Sequence, residues 1–534
     1  MHKPMQTLIK CITEVCAACA ITASLSVAAF AQVPETLNIG LAGSVNSVDP
    51  HFTNSTPNHV IAHSLFDRLT ERSPQGELVP GLALAWSPIS DTVWEFKLRP
   101  NVKWHDGKPF TAEDVAFSLE RARYVPNSPG GFGGLLSSVV KIEQIDPLTV
   151  HLHTAAPSPN LPRQLAFIAI VSKHAGEGAT TDQYNSGLKA IGTGPYKFVR
   201  YIPGDRIDMV RNDEWWGPKQ PWKNVSIRFI SNGASRVGAL LSGGVDVIDS
   251  VPATDIATLQ KDPKVNLVST PGMRTMFIGF NVRSASQSLI TDNKGKPLAT
   301  NPLADVRVRR ALSEAVNRPA IADRLMQNTA TATGQWLNPG NYSYANSVPV
   351  PAYDPTAAKK LLADAGYPEG FKITLVTPND RYPNDSAVAQ AVAQMWSRIG
   401  VQTAVDAKPW NTFIVGRESY PSFLLGWGSP TLEAGYFLTN IVMTPDPKTG
   451  VGSYNTGGYS NPALDTLTDR ALTTLDDKER EKLLVQAVEM TSSDLPVMTI
   501  LQLNNTWAVR KNFIYDPRTD ERTLPQNTAP VISQ

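Results

Sequence analysis

Residues 191–216 read IGTGPYKFVRYIPGDRIDMVRNDEWW. Gly192-Thr193-Gly194-Pro195 is a turn: two residues are free to take φ > 0 and a third is held near −65°. Residues 196–202 and 206–211 are rich in Tyr, Phe, Val and Ile and read as short strands. Pro203-Gly204-Asp205 between them makes the pair a hairpin. A phosphate-binding loop is the rival reading of the glycines. It fails because no Gly-Lys-Ser/Thr follows and no helix pattern opens here. A glycine turn leading into a hairpin far from either terminus then fits two readings, a crossover from one lobe to another or an ordinary surface turn, and these residues alone do not choose between them.

The flanking segments supply the elements such lobes need. Upstream, Leu37–Leu41 alternates as a strand, and residues 58–70 place Val60, Ile61, Leu65, Phe66 and Leu69 at helical spacing. Residues 94–121, WEFKLRPNVKWHDGKPFTAEDVAFSLER, give a strand, an Asp106-Gly107 turn and a capping box, Thr111-x-x-Asp114, that opens a helix. Downstream, Asp354-Pro355 and Gly366 bound a helix as N-cap, first helical residue and C-terminal glycine. Strand 371–376, helix 385–399 and strand 401–405 then form an α/β unit, and a charged amphipathic helix runs from about Asp477 to Met490. In this order, the GTGPY turn, the FKLR strand with TAEDV, the DVRVRRAL helix start at 305–312, DPTAAKKLLADAGYP at 354–368 and YSNPALD at 459–465 resemble the family 5 solute-binding proteins of peptide and nickel ABC transporters. The resemblance covers nearly the whole chain beyond the leader.

It implies an α/β, two-lobed periplasmic-binding-protein fold of type II, in the large three-domain peptide-binding subclass, with the hinge between lobes near Gly192–Tyr196. Domain I would be assembled from 32–72, 191–280 and 500–534, with domain II at 73–190 and domain III at 281–499. It also implies a monomer that captures a small peptide-like solute and hands it to an inner-membrane permease with ATPase subunits, with no cofactor. An opine-like conjugate or a metal chelate is the alternative solute.

Composition is compatible with that expectation. A chain of 534 residues exceeds a single core, and a formal charge of +1 without a basic block argues against nucleic acid as partner. Lys3 and Lys10 precede an apolar run to Phe30, and Ala29-Phe30-Ala31 fits a cleavage site, so residues 1–31 read as a secretory signal peptide and the protein is expected in the periplasm. Cys11, Cys16 and Cys19 all lie in that leader, leaving the mature chain without a thiol, as suits an oxidising compartment. Lipidation at Cys19 is the minority alternative, because Cys16 stands where a lipoprotein box usually carries Leu.

Catalytic signatures are missing: there is no Gly-x-Ser-x-Gly and no His-Glu-x-x-His. A secreted hydrolase is therefore a remote alternative. His105-Asp106 reads as a turn before a capped helix, and His151-Leu152-His153 as a strand edge, since two imidazoles without a third ligand do not complete a metal site. Trp215, Trp216 and Trp222 read as hairpin packing. The ligand-binding candidates are Arg274, a bidentate carboxylate reader whose rival role is a surface ion pair, and Trp427, Gly428 and Ser429 in FLLGWGSP (423–430). The resemblance implies Gly-Trp-x-x-Asp here, with the tryptophan lining the cleft and the aspartate pairing with a peptide α-ammonium. Pro430 occupies the aspartate's position. Glu433, three residues on, is the candidate replacement.

Overall fold

The computed structural model describes residues 35–283 and 290–531. The expected signal peptide, its cysteines and the cleavage site lie outside the described residues.

Two long strands, Val265–Phe280 and Val497–Arg510, organise everything else. They pair antiparallel through the middle of an eleven-stranded sheet. On one side of them lie Val247–Ile248, Thr36–Leu41, Asn224–Phe229, Arg206–Arg211 and Tyr196–Ile202, in that order. On the other side lie Ser422–Gly428, Phe371–Pro378 and Val401–Lys408. Phe371–Pro378 runs parallel to both of its neighbours. The helix Asp385–Arg398 crosses between Phe371–Pro378 and Val401–Lys408, burying Val388, Val392 and Trp396, which is the α/β unit expected from the sequence.

The long strands belong to two cores in succession. Along the first, Met276, Ile278 and Phe280 alternate into a core shared with Leu375, Val392 and Trp396, while Phe277 points to the opposite face and a core holding Phe423, Leu425, Phe437 and Leu484. Along the second, Ile500, Leu501 and Leu503 join the first of these cores, whereas Trp507 and Val509 pack with Leu37, Ile39 and Ile227 on the other body. The ladder shifts register between Pro271 and Thr275, where the core changes. The chain thus passes from one body to the other inside these strands, ahead of the boundary expected at 280 and beyond the one expected at 499.

A third body is the antiparallel sheet of Ala83–Ser90, Val93–Leu98, Thr149–Thr154 and Val139–Asp146, in that spatial order. It is covered by the helix Ala112–Arg123, whose capping box forms as expected. Trp94, Phe96, Trp104, Val115 and Leu119 fill the core between them.

The hairpin Tyr196–Ile202/Arg206–Arg211 forms, with Gly204 at φ +76° in its turn. The glycines ahead of it act differently from the expectation. Among the described residues, Gly192 and Gly194 are not in the positive-φ set. What they provide is close approach: a Cβ at Gly192 would sit 1.8 Å from the Leu65 carbonyl oxygen, and one at Gly194 would sit 2.6 Å from its carbon. The Gly194 N–H donates to the Leu65 carbonyl at 3.0 Å. His105 clamps the loop further, its Nδ1 accepting from the Gly192 N–H and its Nε2–H donating to the Gly194 carbonyl, both at 3.1 Å. Burial pushes the His105 pKa down to about 4, keeping the ring in the neutral form these bonds require. This loop is a riveted crossover between the small sheet and the large one.

Candidate functional site

Where the two bodies of the large sheet meet, a cleft of about 620 Å³ opens beside the crossing strands. Gly43, Pro57 and Ser250 line it from one side, Asn384 and Asn504 from the other, and Glu521 stands on its wall. That volume falls in the range of small-molecule sites.

Ser422–Gly428 pairs antiparallel with the upper half of the first crossing strand, setting Trp427 opposite Thr275 and Gly428 opposite Arg274. Side chains alternate along this strand, so the faces of Trp427 and of the flanking glycines differ. Gly426 and Gly428 keep one face low. A Cβ at Gly426 would meet the Tyr382 ring at 2.7 Å, and one at Gly428 would lie 3.8 Å from the Arg274 guanidinium. Tyr382 donates its hydroxyl to the Gly426 carbonyl at 2.8 Å. Arg274, about a third exposed, faces Glu521 at 3.7 Å, so the ion pair that rivals its binding role is present, and one of its members is on the cleft wall. At that distance and exposure it is a weak pair that a solute carboxylate can displace.

Trp427 is half-buried on the opposite face, with Tyr454 at 4.5 Å and Tyr436 at 5.9 Å between ring centroids. Its indole Nε1 has no hydrogen-bond partner in the protein. A buried indole N–H normally finds one.

The other two candidates do not stand where the sequence suggests. Ser429 is 3% exposed, its hydroxyl donating to the Glu433 carbonyl at 2.9 Å and its N–H to the Met273 carbonyl at 3.1 Å. It fastens the loop after the strand. Glu433 is 1% exposed. It caps the short helix Ala434–Phe437 by accepting from the Gly435 and Tyr436 N–H groups, each at 3.0 Å, and pairs with Arg480 Nη2 at 2.7 Å. Both of its oxygens are spent inside this body, so Glu433 does not replace the absent aspartate. Sequence reasoning misses the pairing because Arg480 lies 47 positions on, inside a helix that reads as charged and amphipathic.

Pro430 itself receives a partner from the other body. The Arg72 guanidinium, 5% exposed, donates to its carbonyl oxygen, and Asn341 Nδ2 donates to the Gln75 carbonyl at 3.4 Å nearby. Arg163 lies 3.6 Å from Asp477 and 4.1 Å from the Tyr342 ring centroid. The bodies are in contact here while the cleft stays open beside them. No sequence signal singles out Arg72, which sits in a three-residue strand, Thr70–Arg72.

The remaining candidates are structural. His151 and His153 each face a carboxylate on a neighbouring strand, Glu95 at 3.0 Å and Glu143 at 2.9 Å, carboxylates that sequence spacing does not place near them. Each pair stands alone, and among the described residues no group of three or more metal-ligating side chains converges. Trp215 and Trp216 both donate to one oxygen of Asp67, at 3.3 and 2.7 Å, and Trp222 is fully buried with its Nε1–H on the Thr528 carbonyl. No helix among the described residues is long and apolar enough to cross a membrane.

Comparison with known proteins agrees with this architecture. The chain is 27% identical over 527 residues to the dipeptide-binding protein of Escherichia coli K12, covering 92% of this chain and 94% of that one. The structure of HbpA2 from Haemophilus parasuis superposes with a TM-score of 0.78 at 25% identity, over 93% of this chain and 99% of the other. The periplasmic murein tripeptide binding protein MppA, in its unliganded open form, shares the fold at a TM-score of 0.80 and 22% identity, over 93% and 97% of the two chains. The family description "Bacterial extracellular solute-binding proteins, family 5 Middle" matches residues 77–447, well over half the chain. The protein is a member of the family 5 bacterial extracellular solute-binding proteins.

Proposed function

We propose that this protein is the capture component of an ABC importer. It takes a small peptide-like solute into the cleft between its two main bodies and delivers it to a membrane permease driven by separate ATPase subunits. It works outside the cytoplasm, in the periplasm, as a monomer and without catalysing a reaction. The observation that carries this reading is the pair of crossing strands. They are the ladder joining the bodies, they are interrupted at Pro271–Thr275, and they flank an open cleft of about 620 Å³. A solute touching both bodies stabilises the closed arrangement because it makes those contacts in no other state.

Trp427, Gly428 and Arg274 are the strand residues we assign to the solute; none of them lines the 620 Å³ cleft itself, Arg274 reaching it through Glu521 and Trp427 lying on the opposite face of the strand. The glycine leaves backbone within reach, Arg274 supplies a guanidinium held only by a weak pair, and Trp427 carries an indole N–H that is buried without a partner. Glu433 and Ser429 are assigned to the scaffold. With Pro430 and a committed Glu433, the strand end offers no carboxylate for an α-ammonium. That favours, as a second reading, conjugates without a free amine over plain di- and tripeptides.

The test is native mass spectrometry of the mature protein purified without denaturation, followed by identification of whatever is released. Retention of a small solute that quenches or enhances tryptophan fluorescence on rebinding is the expected result. Turnover of the released compound by the purified protein would instead mark an enzyme.

A further inference from the structure

The junction between the bodies carries an unbalanced charge. Behind Glu521 lies a buried cluster built from the helix Thr56–Leu65, the strand Thr70–Arg72 and residues 518–522. It holds Arg68, Arg72, Arg518 and Arg522, each at most 5% exposed, against Glu71 and Asp520. Asp520 is taken twice over, by Arg518 at 2.7 Å and Arg522 at 3.3 Å. Glu71 is 3.7 Å from Arg68 and 3.4 Å from His63. The two histidines add no negative charge and are held neutral: His63 donates from Nδ1 to the His59 carbonyl at 2.8 Å and accepts from Arg522 at Nε2 at 3.0 Å, and His59 is bonded to Asn54. Burial and the surrounding arginines push both rings well below their ordinary pKa.

The groups facing the cluster do not correct the imbalance. Asp67 turns to Trp215 and Trp216. Across the junction the charges are already paired, Glu433 with Arg480, Asp477 with Arg163 and Glu521 with Arg274. Four buried cations thus stand against Asp520 and the partly exposed Glu71, with Asp67 acting on Arg68 from beside the cluster, an arrangement that costs free energy unless a further anion joins it. Two observations point to where that anion goes. Arg68 is fully buried, yet its Nε and Nη2 have no partner. Arg72 donates across the junction to the Pro430 carbonyl and, within its own body, to the Arg163 carbonyl at 3.4 Å, with its guanidinium 4.8 Å from the Phe167 ring centroid; no carboxylate among the described residues pairs with it.

We propose that the solute carries a carboxylate and no free amine at this end, and that Arg72 is the residue that reads the carboxylate as the bodies close on it. The proposal rests on the solute-capture reading and names the class of solute. A guanidinium moving from a carbonyl oxygen to a carboxylate exchanges a neutral acceptor for a charge-assisted one. The exchange also brings the cluster closer to neutrality. A solute ammonium placed here would meet an excess of like charge.

The experiment uses three probes on one backbone: trialanine amide (cationic), N-acetyl-trialanine amide (neutral) and N-succinyl-trialanine amide (anionic). Each is titrated calorimetrically into the mature protein. The succinyl probe should bind about tenfold tighter than the acetyl probe, the difference between a charge-assisted and a neutral hydrogen bond, and the cationic probe should bind weakest. Arg72→Gln should erase the preference for the succinyl over the acetyl probe. Arg72→Lys, which keeps the charge, should retain part of it and guards against a folding defect in the glutamine variant. The proposal is overturned if the cationic probe binds tightest, if the anion's advantage survives Arg72→Gln, or if none of the three binds. A free-amine peptide released from the native protein would likewise sink it, while leaving the capture role standing.

Discussion

Replacing Glu433 by Gln separates a scaffold carboxylate from a ligand-binding one. The carboxylate takes Arg480 Nη2 at 2.7 Å and the Gly435 and Tyr436 N–H groups at 3.0 Å, with Arg480 fully buried beneath it. Glutamine keeps one acceptor oxygen and turns an NH₂ group toward donors. Arg480 is then left as a buried charge without its partner, an effect of about 3–5 kcal/mol, and half of the helix cap is lost for about 1 kcal/mol more. A domain's whole stability is on the order of 5–15 kcal/mol, so the loss is a large fraction of it. Urea unfolding followed by circular dichroism should show a midpoint lower by about 1–3 M, taking a denaturant slope of about 2–3 kcal/mol per M. The double variant Glu433→Gln with Arg480→Met should recover much of that loss, since removing a buried pair together is far milder than orphaning one member. A single variant that unfolds like the parent but loses its solute would refute the reasoning and return Glu433 to the cleft.

Three shorter expectations follow from the same geometry. Gly192→Ala places a methyl 1.8 Å from the Leu65 carbonyl oxygen, so it should destabilise by more than about 2–3 kcal/mol or fail to accumulate as soluble protein, read by thermal unfolding. Acid should weaken the fold. His51 is fully buried with its pKa pushed down to about 4, so its contribution is intact above the unfolded value near 6.5 and is lost as pH falls from there toward 4, by up to about 3 kcal/mol; Asp67, pushed up to about 7, acts oppositely, so Asp67→Asn should raise stability at pH 8 and steepen the acid loss, both measured by unfolding across pH. Trp427→Phe should abolish most of the solute-induced change in tryptophan fluorescence, and Trp427→Ala should weaken binding by about 2 kcal/mol, both checked by titration with the native solute.

Local chemistry makes most of the elements legible in the amino-acid sequence. The Thr111/Asp114 capping box, the Asp354 cap with Pro355 behind it and the Val388/Val392/Trp396 stripe are all short-range signals, and all three form. The helix at Thr56–Leu65 stops earlier than residue 70, where its apolar spacing ends, because Phe66 turns extended, although the stripe is buried throughout. What stays hidden is long-range. Gly192 and Gly194 advertise conformational freedom in a sequence, but nothing there shows the Leu65 carbonyl that makes them necessary. Glu433 reads as a free acid until Arg480 is folded against it. Arg72 reads as an ordinary strand residue, and only the closure of two bodies brings it to Pro430.

Closure itself is open to a direct measurement. The joint at Pro271–Thr275 keeps both strands continuous while leaving Gly272, Met273 and Arg274 out of the ladder with the second crossing strand. Bending there spares the ladder between the two strands but works against clamps on the joint: the Gly272 carbonyl accepts from Asn338 Nδ2 at 2.7 Å and Gln502 Nε2 at 2.6 Å, and the Met273 carbonyl from the Ser429 N–H at 3.1 Å. Besides Arg72 on the Pro430 carbonyl, the bodies are held together at their edge by Asn341 on the Gln75 carbonyl at 3.4 Å and by Arg163 beside Asp477 and over Tyr342. Asp477 is two-thirds exposed, so that ion pair is worth at most about 1 kcal/mol, and the ring contact is of similar size. Together they contribute about 1–2 kcal/mol, enough to move an open–closed equilibrium by about fivefold to thirtyfold without touching either core. Asn341→Ala with Arg163→Ala should therefore raise the radius of gyration of the solute-free protein in small-angle scattering, and saturating solute should bring it back. Urea midpoints should stay at the parent's value, because no buried group is lost. An unchanged scattering curve would mean that these contacts do not hold the closed state. A lowered midpoint with an unchanged curve would mean that they stabilise the fold and that the joint at Pro271–Thr275 does not bend.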